Sequence, residues 1–268
     1  MTDPTQEPRT AGRGTTHAEA TETHRGNRNW WSTEANTYYA EHGDFLGDAE
    51  LVWGPEGIRE SELHLLGDLT NKRVLEFGSG AAQGSRYIAA CGGTAIASDI
   101  AEGMLDVAQH LNTKTNNAVP LVQADAIALP FADASFDIAF SAYGATPFIA
   151  DINAMLHECA RVLTNGGLLA YSTTHPVRWA FPDAPDALHA SMNYFDRSPY
   201  IERSGERIDY AEYHRTIGDH VRALATSGFT LLDIVEPEWP SWNTQTWGGW
   251  SPQRGAHIPG TAIFVARK

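Results

Sequence analysis

The stretch Val74-Leu75-Glu76-Phe77-Gly78-Ser79-Gly80-Ala81-Ala82-Gln83-Gly84 constrains this chain more than any other. An apolar strand ends there on an acid and passes straight into a glycine-rich turn that opens a helix. Glycine takes dihedrals that side chains forbid, so backbone amides can approach a ligand closely, and a helix starting near Gly84 aims its free N–H groups at the same place. Such a turn suits a nucleotide-like cofactor. A tight strand-to-helix turn without a ligand gives the same string, so the downstream sequence has to decide.

Downstream, Thr94-Ala95-Ile96-Ala97-Ser98-Asp99 reads as a second short strand that ends on a carboxylate, at the spacing of one βαβ unit. An acid at that point accepts hydrogen bonds from ribose hydroxyls, a role it serves in dinucleotide folds as well, so Asp99 indicates ribose without choosing the cofactor. A third acid follows a third strand in Val122-Gln123-Ala124-Asp125-Ala126. Then come Leu129-Pro130-Phe131 and Ser135-Phe136-Asp137, the approach to a fourth strand.

In this order and spacing, over about residues 72 to 175, these motifs resemble the class I S-adenosylmethionine-dependent methyltransferases, within the broad group called methyltransferase type 11. The flanking Trp30-Trp31, Trp53-Gly54-Pro55-Glu56-Gly57 and Trp247-Gly248-Gly249-Trp250 look like an actinobacterial branch of that group. The resemblance implies an α/β fold: a doubly wound, mostly parallel, seven-stranded Rossmann-like sheet, with its last strand antiparallel, an N-terminal helical lid and substrate-side insertions. It also implies site roles. Glu76, Gly78, Gly80 and, less firmly placed, Gln83 fall to the methionine moiety. Asp99 falls to the ribose, Asp125 with the amide of Ala126 to the adenine, and Ile100 and Met104 to the two faces of the ring. Ser141, at the end of the fourth strand, joins the cofactor set.

Composition narrows the partners. With a formal charge of −14 and only 19 Lys and Arg in 268 residues, the chain lacks the clustered cations on which nucleic-acid affinity rests. An apolar content of 42% supports one substantial α/β core. Cys91 and Cys159 show no metal-ligand spacing, no metal is expected, and a reduced, cytoplasmic setting follows most simply. No apolar run reaches the length of a membrane span. Residues 1–28 are polar throughout and read as a disordered tail, in which His17 and His24 give little reason to expect a metal.

The remainder, 29–268, reads as one domain. Lid helices fill 29–71, one with Trp31, Ala35, Tyr38, Tyr39 and His42 at helical spacing and a second from about Ile58 presenting Leu65, Leu66 and Leu69. The cofactor core occupies 72–175. Two intervals, 176–215 and 236–260, are too long for ordinary connections and are where acceptor recognition should reside. The second holds Trp239, Trp242, Trp247 and Trp250, half of the eight tryptophans, which suit a sugar ring or else a dimer surface. Trp31, Tyr38 and Trp53 could face a sulfonium or an adenine, with core packing as the alternative.

Transfer to a weakly acidic hydroxyl needs a proton acceptor near the crevice. His175, just past the fifth strand in Thr174-His175-Pro176, leads, and His214 follows, each with loop anchoring as its alternative. Replacing either by alanine is expected to lower turnover about a hundredfold or more while sparing cofactor affinity. Tyr143, after the fourth strand, would orient the acceptor or close the pocket. The segment lacks the Asn/Asp-Pro-Pro-Tyr pattern that holds planar amines, which disfavours base N-methylation. Trp53, Arg178, Trp179, Tyr194, Trp242 and Trp247 are the acceptor-contact candidates. The function expected is methyl transfer to a small molecule, most simply on oxygen; because the branch resembles actinobacterial enzymes that include a methyltransferase of methylmannose oligosaccharides, the resemblance implies the hydroxyl of a methylated mannoside as the specific acceptor. A polyketide-like or other secondary metabolite fits the same residues. A nicotinamide-dependent oxidoreductase and a non-catalytic S-adenosylmethionine-binding module stay open as rivals of other classes.

Overall fold

The computed structural model describes residues 9–13 and 20–268. In chain order the elements are β1 (Arg9–Arg13), α1 (Ala20–Leu46), α2 (Glu60–Leu63), β2 (Arg73–Phe77), α3 (Gln83–Ala90), β3 (Thr94–Asp99), α4 (Glu102–Thr115), β4 (Leu121–Gln123), β5 (Phe136–Ser141), α5 (Ile152–Val162) and β6 (Leu163–Thr174). There follow β7 (Tyr200–Ser204), β8 (Arg207–Glu212), α6 (Ile217–Thr226), β9 (Thr230–Val235), α7 (Pro252–Gly255) and β10 (Thr261–Arg267).

Seven strands make the main sheet, in the order β4-β3-β2-β5-β6-β10-β9. Strands β4, β3, β2, β5 and β6 pair in parallel, and β10 inserts antiparallel to both β6 and β9, as expected for the last strand. Near-continuous apolar runs form these strands because both faces are covered. On one face Leu75, Phe77, Leu169, Tyr171 and Phe264 pack against Met155, Leu156 and Leu224 of α5 and α6. On the other, Val74, Ile138, Phe140 and Ile263 pack against Ile88 of α3 and against Leu51, Trp53, Leu66 and Leu69. Strand order reverses between β2 and β5, the point at which open α/β sheets leave a ligand crevice beyond their carboxyl ends.

Local chemistry fixes the helix starts. Asp151 accepts from the amides of Asn153 and Ala154, and Thr216 forms a reciprocal capping box with Asp219, each cap worth about 1 kcal/mol.

Three expectations change. Residues 9–13 form a strand and 20–28 belong to α1, so those parts of the expected tail are ordered; the rest of it, His17 included, lies outside the described residues. Composition misled there because α1 docks through small and polar groups. Gly26 lies against the Ile208 carbonyl, which an added Cβ would meet at 2.6 Å, and Asn27 is hydrogen-bonded to Ala211. The second lid helix shrinks to the single turn α2: His64 takes a left-handed conformation (φ 52°), and Leu66 and Leu69 are buried from the irregular segment that follows. The interval 176–215 contains the β7–β8 hairpin, which joins β1 in a second, antiparallel sheet in the order β1-β7-β8.

Candidate active site

Beyond the carboxyl ends of β2, β3 and β5 lies a cavity of about 890 Å³, walled on the other side by α1, the β7–β8 hairpin and the loop around Trp247. Glu76 is buried where β2 meets the glycine turn. Its Oε2 accepts from the amide and the hydroxyl of Ser85, both at 2.6 Å, in the first turn of α3. Burial pushes its carboxyl up to about 7, with the Ser85 hydrogen bonds and Arg86 pulling the other way. Gly84 must stay a glycine for this contact, since a Cβ there would lie 2.6 Å from Glu76 Oε1. Gly78 (φ 60°) and Gly80 (φ 52°) carry the chain past it in the left-handed region.

Asp99 is tied on both oxygens by backbone: Oδ2 accepts from Gly80 N and Oδ1 from Ala101 N, each at 2.8 Å. Burial raises its carboxyl and these amides counter the rise. Each oxygen keeps a lone pair for a further donor. Asp125 lines the same cavity, its Oδ2 3.4 Å from His24 Nε2, and Ala126, Ile100, Met104 and Gln83 lie along the same wall. At Gly80 an added Cβ would meet nothing nearer than Met104 Sδ at 4.0 Å, so the turn fronts open space. Two buried donors beside that space, Ser79 Oγ and Trp31 Nε1, have no hydrogen-bond partner among the described residues. Three spaced carboxylates, an open glycine cradle and unsatisfied donors fit an adenosyl cofactor with an amino-acid tail.

Trp31 and Tyr38 of α1 line the cavity, with ring centroids 5.4 Å apart. Ser141 does not: it is wholly buried, and its Oγ accepts from Ala145 N at 3.2 Å, which folds the loop after β5 back onto the glycine turn. That loop presents Tyr143 to the cavity in a left-handed conformation (φ 61°), its amide donating to Ser172 Oγ at 2.8 Å; burial raises its phenol.

The expected bases are elsewhere. Neither His175 nor His214 lines the cavity. His175 accepts from Val177 N on Nδ1 and meets Glu236 at 2.7 Å through Nε2, so both nitrogens anchor the loop after β6. His214 packs between Trp179 and Tyr194, with Nε2 2.6 Å from the Tyr194 carbonyl. Among the acceptor-contact candidates, Arg178, Trp179 and Trp247 line the cavity, whereas Trp53, Tyr194 and Trp242 do not. Trp53 is a core residue donating to Glu60 Oε2 at 3.0 Å, the Tyr194 hydroxyl accepts from Ile217 N, and Trp242 is 60% exposed.

A set of residues missed from sequence completes the wall. Tyr200 and Glu202 of β7 and Tyr210 and Glu212 of β8 all face the cavity. Across the hairpin Tyr200 pairs with Glu212 and Glu202 with Tyr210; along each strand the tyrosine hydroxyl donates to the glutamate two residues on. The alternation Tyr-Ile-Glu and Tyr-Ala-Glu on either side of Gly205 is the period-2 signal that reveals it.

Sheet order and cavity together define a doubly wound α/β domain with a ligand crevice beyond its strand ends. Residues 75–171 match the family model described as methyltransferase domain. The demethylmenaquinone methyltransferase of Corynebacterium efficiens is 39% identical over 98 residues, 37% of this chain and 40% of that relative. The chain thus spans about two fifths of that relative's length. An S-adenosylmethionine-dependent methyltransferase from Mesorhizobium loti superposes with a TM-score of 0.63 at 21% identity, over 80% of this chain and 100% of the other. Burkholderia thailandensis 1,6-didemethyltoxoflavin-N1-methyltransferase, solved with 1,6-didemethyltoxoflavin and S-adenosylhomocysteine bound, gives a TM-score of 0.61 at 17% identity, over 99% of this chain and 96% of the other. Over residues 75–171 the chain is similar to methyltransferase domains, and its sheet is the one found in S-adenosylmethionine-dependent methyltransferases. No helix among the described residues is long and apolar enough to cross a membrane.

Proposed function

We propose that the chain methylates a hydroxyl of a small molecule, with a sugar of the methylated mannoside kind as the specific acceptor. The observation that carries this reading is the Tyr200, Glu202, Tyr210, Glu212 face, which lines the same cavity as Glu76, Asp99 and Asp125. Carboxylates beside aromatic rings are the groups that grip a polyol: the carboxylates accept from its hydroxyls and the rings cover its C–H faces.

Glu76 with the glycine turn would hold the methionine end, Asp99 the ribose, and Asp125 with Ala126 the adenine. When bound, S-adenosylmethionine supplies an electrophilic methyl group on a positively charged sulfur. Trp31, Tyr38 and Trp247 exclude water from the cavity they line, and Tyr143 orients the acceptor. Glu212 takes the hydroxyl proton on Oε2, since its Oε1 is occupied by Tyr210, and passes it on to water. Burial raises the Glu212 carboxyl, which brings its basicity closer to the task.

A methyl-transfer screen with isotope-labelled cofactor over sugars, phenols, amines and thiols tests this reading. Label on a hydroxyl compound, with sugars ahead of phenols, is expected. Label confined to amines or thiols contradicts it. A rise in melting temperature with S-adenosylhomocysteine but not with NADH separates the account from the oxidoreductase rival.

A further inference from the structure

We infer that the acceptor is an amino alcohol, whose ammonium group sits against Glu202 while the neighbouring hydroxyl meets Glu212. The inference rests on the hydroxyl-methylation reading above and replaces the neutral mannoside with an acceptor that carries a positive charge.

Its ground is the charge balance of the cavity wall. Among the described residues that line the cavity, the cationic side chains are Arg178, which pairs with Asp183 and also favours the Glu212 carboxylate, and His24, which meets Asp125, so Glu202 is the carboxylate left without a cation. On the cofactor side, Glu76, Asp99 and Asp125 are each matched to a group of the adenosyl ligand. Glu50 meets Arg59 and Asp183 meets Arg178, which leaves Glu202 and Glu212. They are diagonal neighbours on one face of the hairpin, each held by a tyrosine hydroxyl, and neither forms an ion pair among the described residues. Two carboxylates of like charge on one enclosed face repel each other, and a neutral polyol leaves that repulsion in place. An ammonium removes it.

A second feature of the wall points the same way. Tyr210 stands in an aromatic box, with ring centroids 5.6 Å from Trp30, 5.7 Å from Phe148 and 6.5 Å from Trp31. Aromatic faces beside carboxylates suit an organic cation over a neutral ring. Adjacent hydroxyl and ammonium groups, as in a 2-amino sugar, lie close enough to meet both members of a diagonal pair.

Matched amine and neutral compounds provide the test, with binding to the S-adenosylhomocysteine complex measured by calorimetry. Glucosamine and mannosamine are compared with their N-acetyl forms and with glucose and mannose, and dopamine with 4-methylcatechol. In whichever class binds, the amine should bind at least about tenfold more tightly than its neutral partner, and Glu202→Gln should erase that preference while leaving S-adenosylhomocysteine affinity unchanged. Equal affinity for amine and neutral partner, or a preference that survives Glu202→Gln, overturns the inference and leaves hydroxyl methylation standing. Binding of the amino catechol alone supports the inference and counts against the sugar. If no pair binds while S-adenosylhomocysteine does, the amino-alcohol assignment falls, and the label screen decides the hydroxyl reading separately.

Discussion

Asn27 on α1 brackets Ala211 on β8: its Oδ1 accepts from Ala211 N at 2.7 Å and its Nδ2 donates to Ala211 O at 3.0 Å, as a neighbouring strand would. Ala211 sits between Tyr210 and Glu212, so one asparagine couples the N-terminal helix to the acceptor wall. Asn27→Ala strands a buried amide and a buried carbonyl. It should cost about 1–3 kcal/mol in urea unfolding and raise KM for the acceptor more than it lowers kcat. An unchanged unfolding midpoint would show that the bracket carries no weight.

Asp99 is held by Gly80 N and Ala101 N, and its remaining lone pairs face the proposed ribose site. Asp99→Ala should weaken S-adenosylhomocysteine binding by at least about tenfold in calorimetry, since it removes two charge-assisted hydrogen bonds. Unchanged affinity removes Asp99 from the ribose site.

Glu76 gives the cofactor site a pH dependence. Burial lifts its carboxyl to about 7 in the free protein, so below that pH it holds a proton, while an ammonium ligand demands the carboxylate. Affinity for S-adenosylhomocysteine should therefore fall as pH drops through 7, with protons released on binding near pH 6, and Glu76→Gln should flatten the profile. The folding linkage has the opposite sense. The folded state binds more protons than the unfolded one between the ordinary glutamate value near 4.5 and about 7, so this group's contribution to stability declines as pH rises through that window. A flat wild-type binding profile from pH 5 to 8 contradicts the assignment.

His175 and His214 are bound up in loop packing, so alanine at either should lower the melting temperature by several degrees and leave kcat within about tenfold of wild type. A loss of a hundredfold or more in kcat with normal stability would return the base role to a histidine.

Arg254 ties the two acceptor-side intervals together. Its buried guanidinium donates to the carbonyls of Pro182, Ala184, Ala187 and Gly249. Arg254→Met leaves those carbonyls without their donor, and hydrogen exchange should rise at 182–192 and 245–250 while the main-sheet amides stay protected. Uniform protection across both regions would argue against this role.

The part of the fold legible in sequence is the part governed by apolar runs. Strands β3 and β5 begin and end where Thr94–Asp99 and Phe136–Ser141 place them, because a strand buried on both faces leaves a continuous apolar string. That Glu76 and Asp99 line one cavity was legible because each stands at the end of such a string, and Asp125, which shares the cavity, follows the short edge strand β4. What escaped depends on polar contacts that composition does not register. The start of α1 is anchored by Thr23, Gly26 and Asn27 without an apolar stripe, and the hairpin was hidden because its alternation is tyrosine with glutamate. The histidines fall close to the crevice in chain order, yet hydrogen bonding directs their rings into the loops.

In the proposed arrangement one cavity holds the adenosyl cofactor against Glu76, Asp99 and Asp125 and the acceptor against the β7–β8 face. A crystal structure with S-adenosylhomocysteine tests it most directly. Ribose hydroxyls are expected on Asp99, the adenine beside Asp125 and Ala126, and the sulfur directed toward Tyr143 and Glu212. A nucleoside bound away from those acids, or a sulfur facing away from the hairpin, would contradict it.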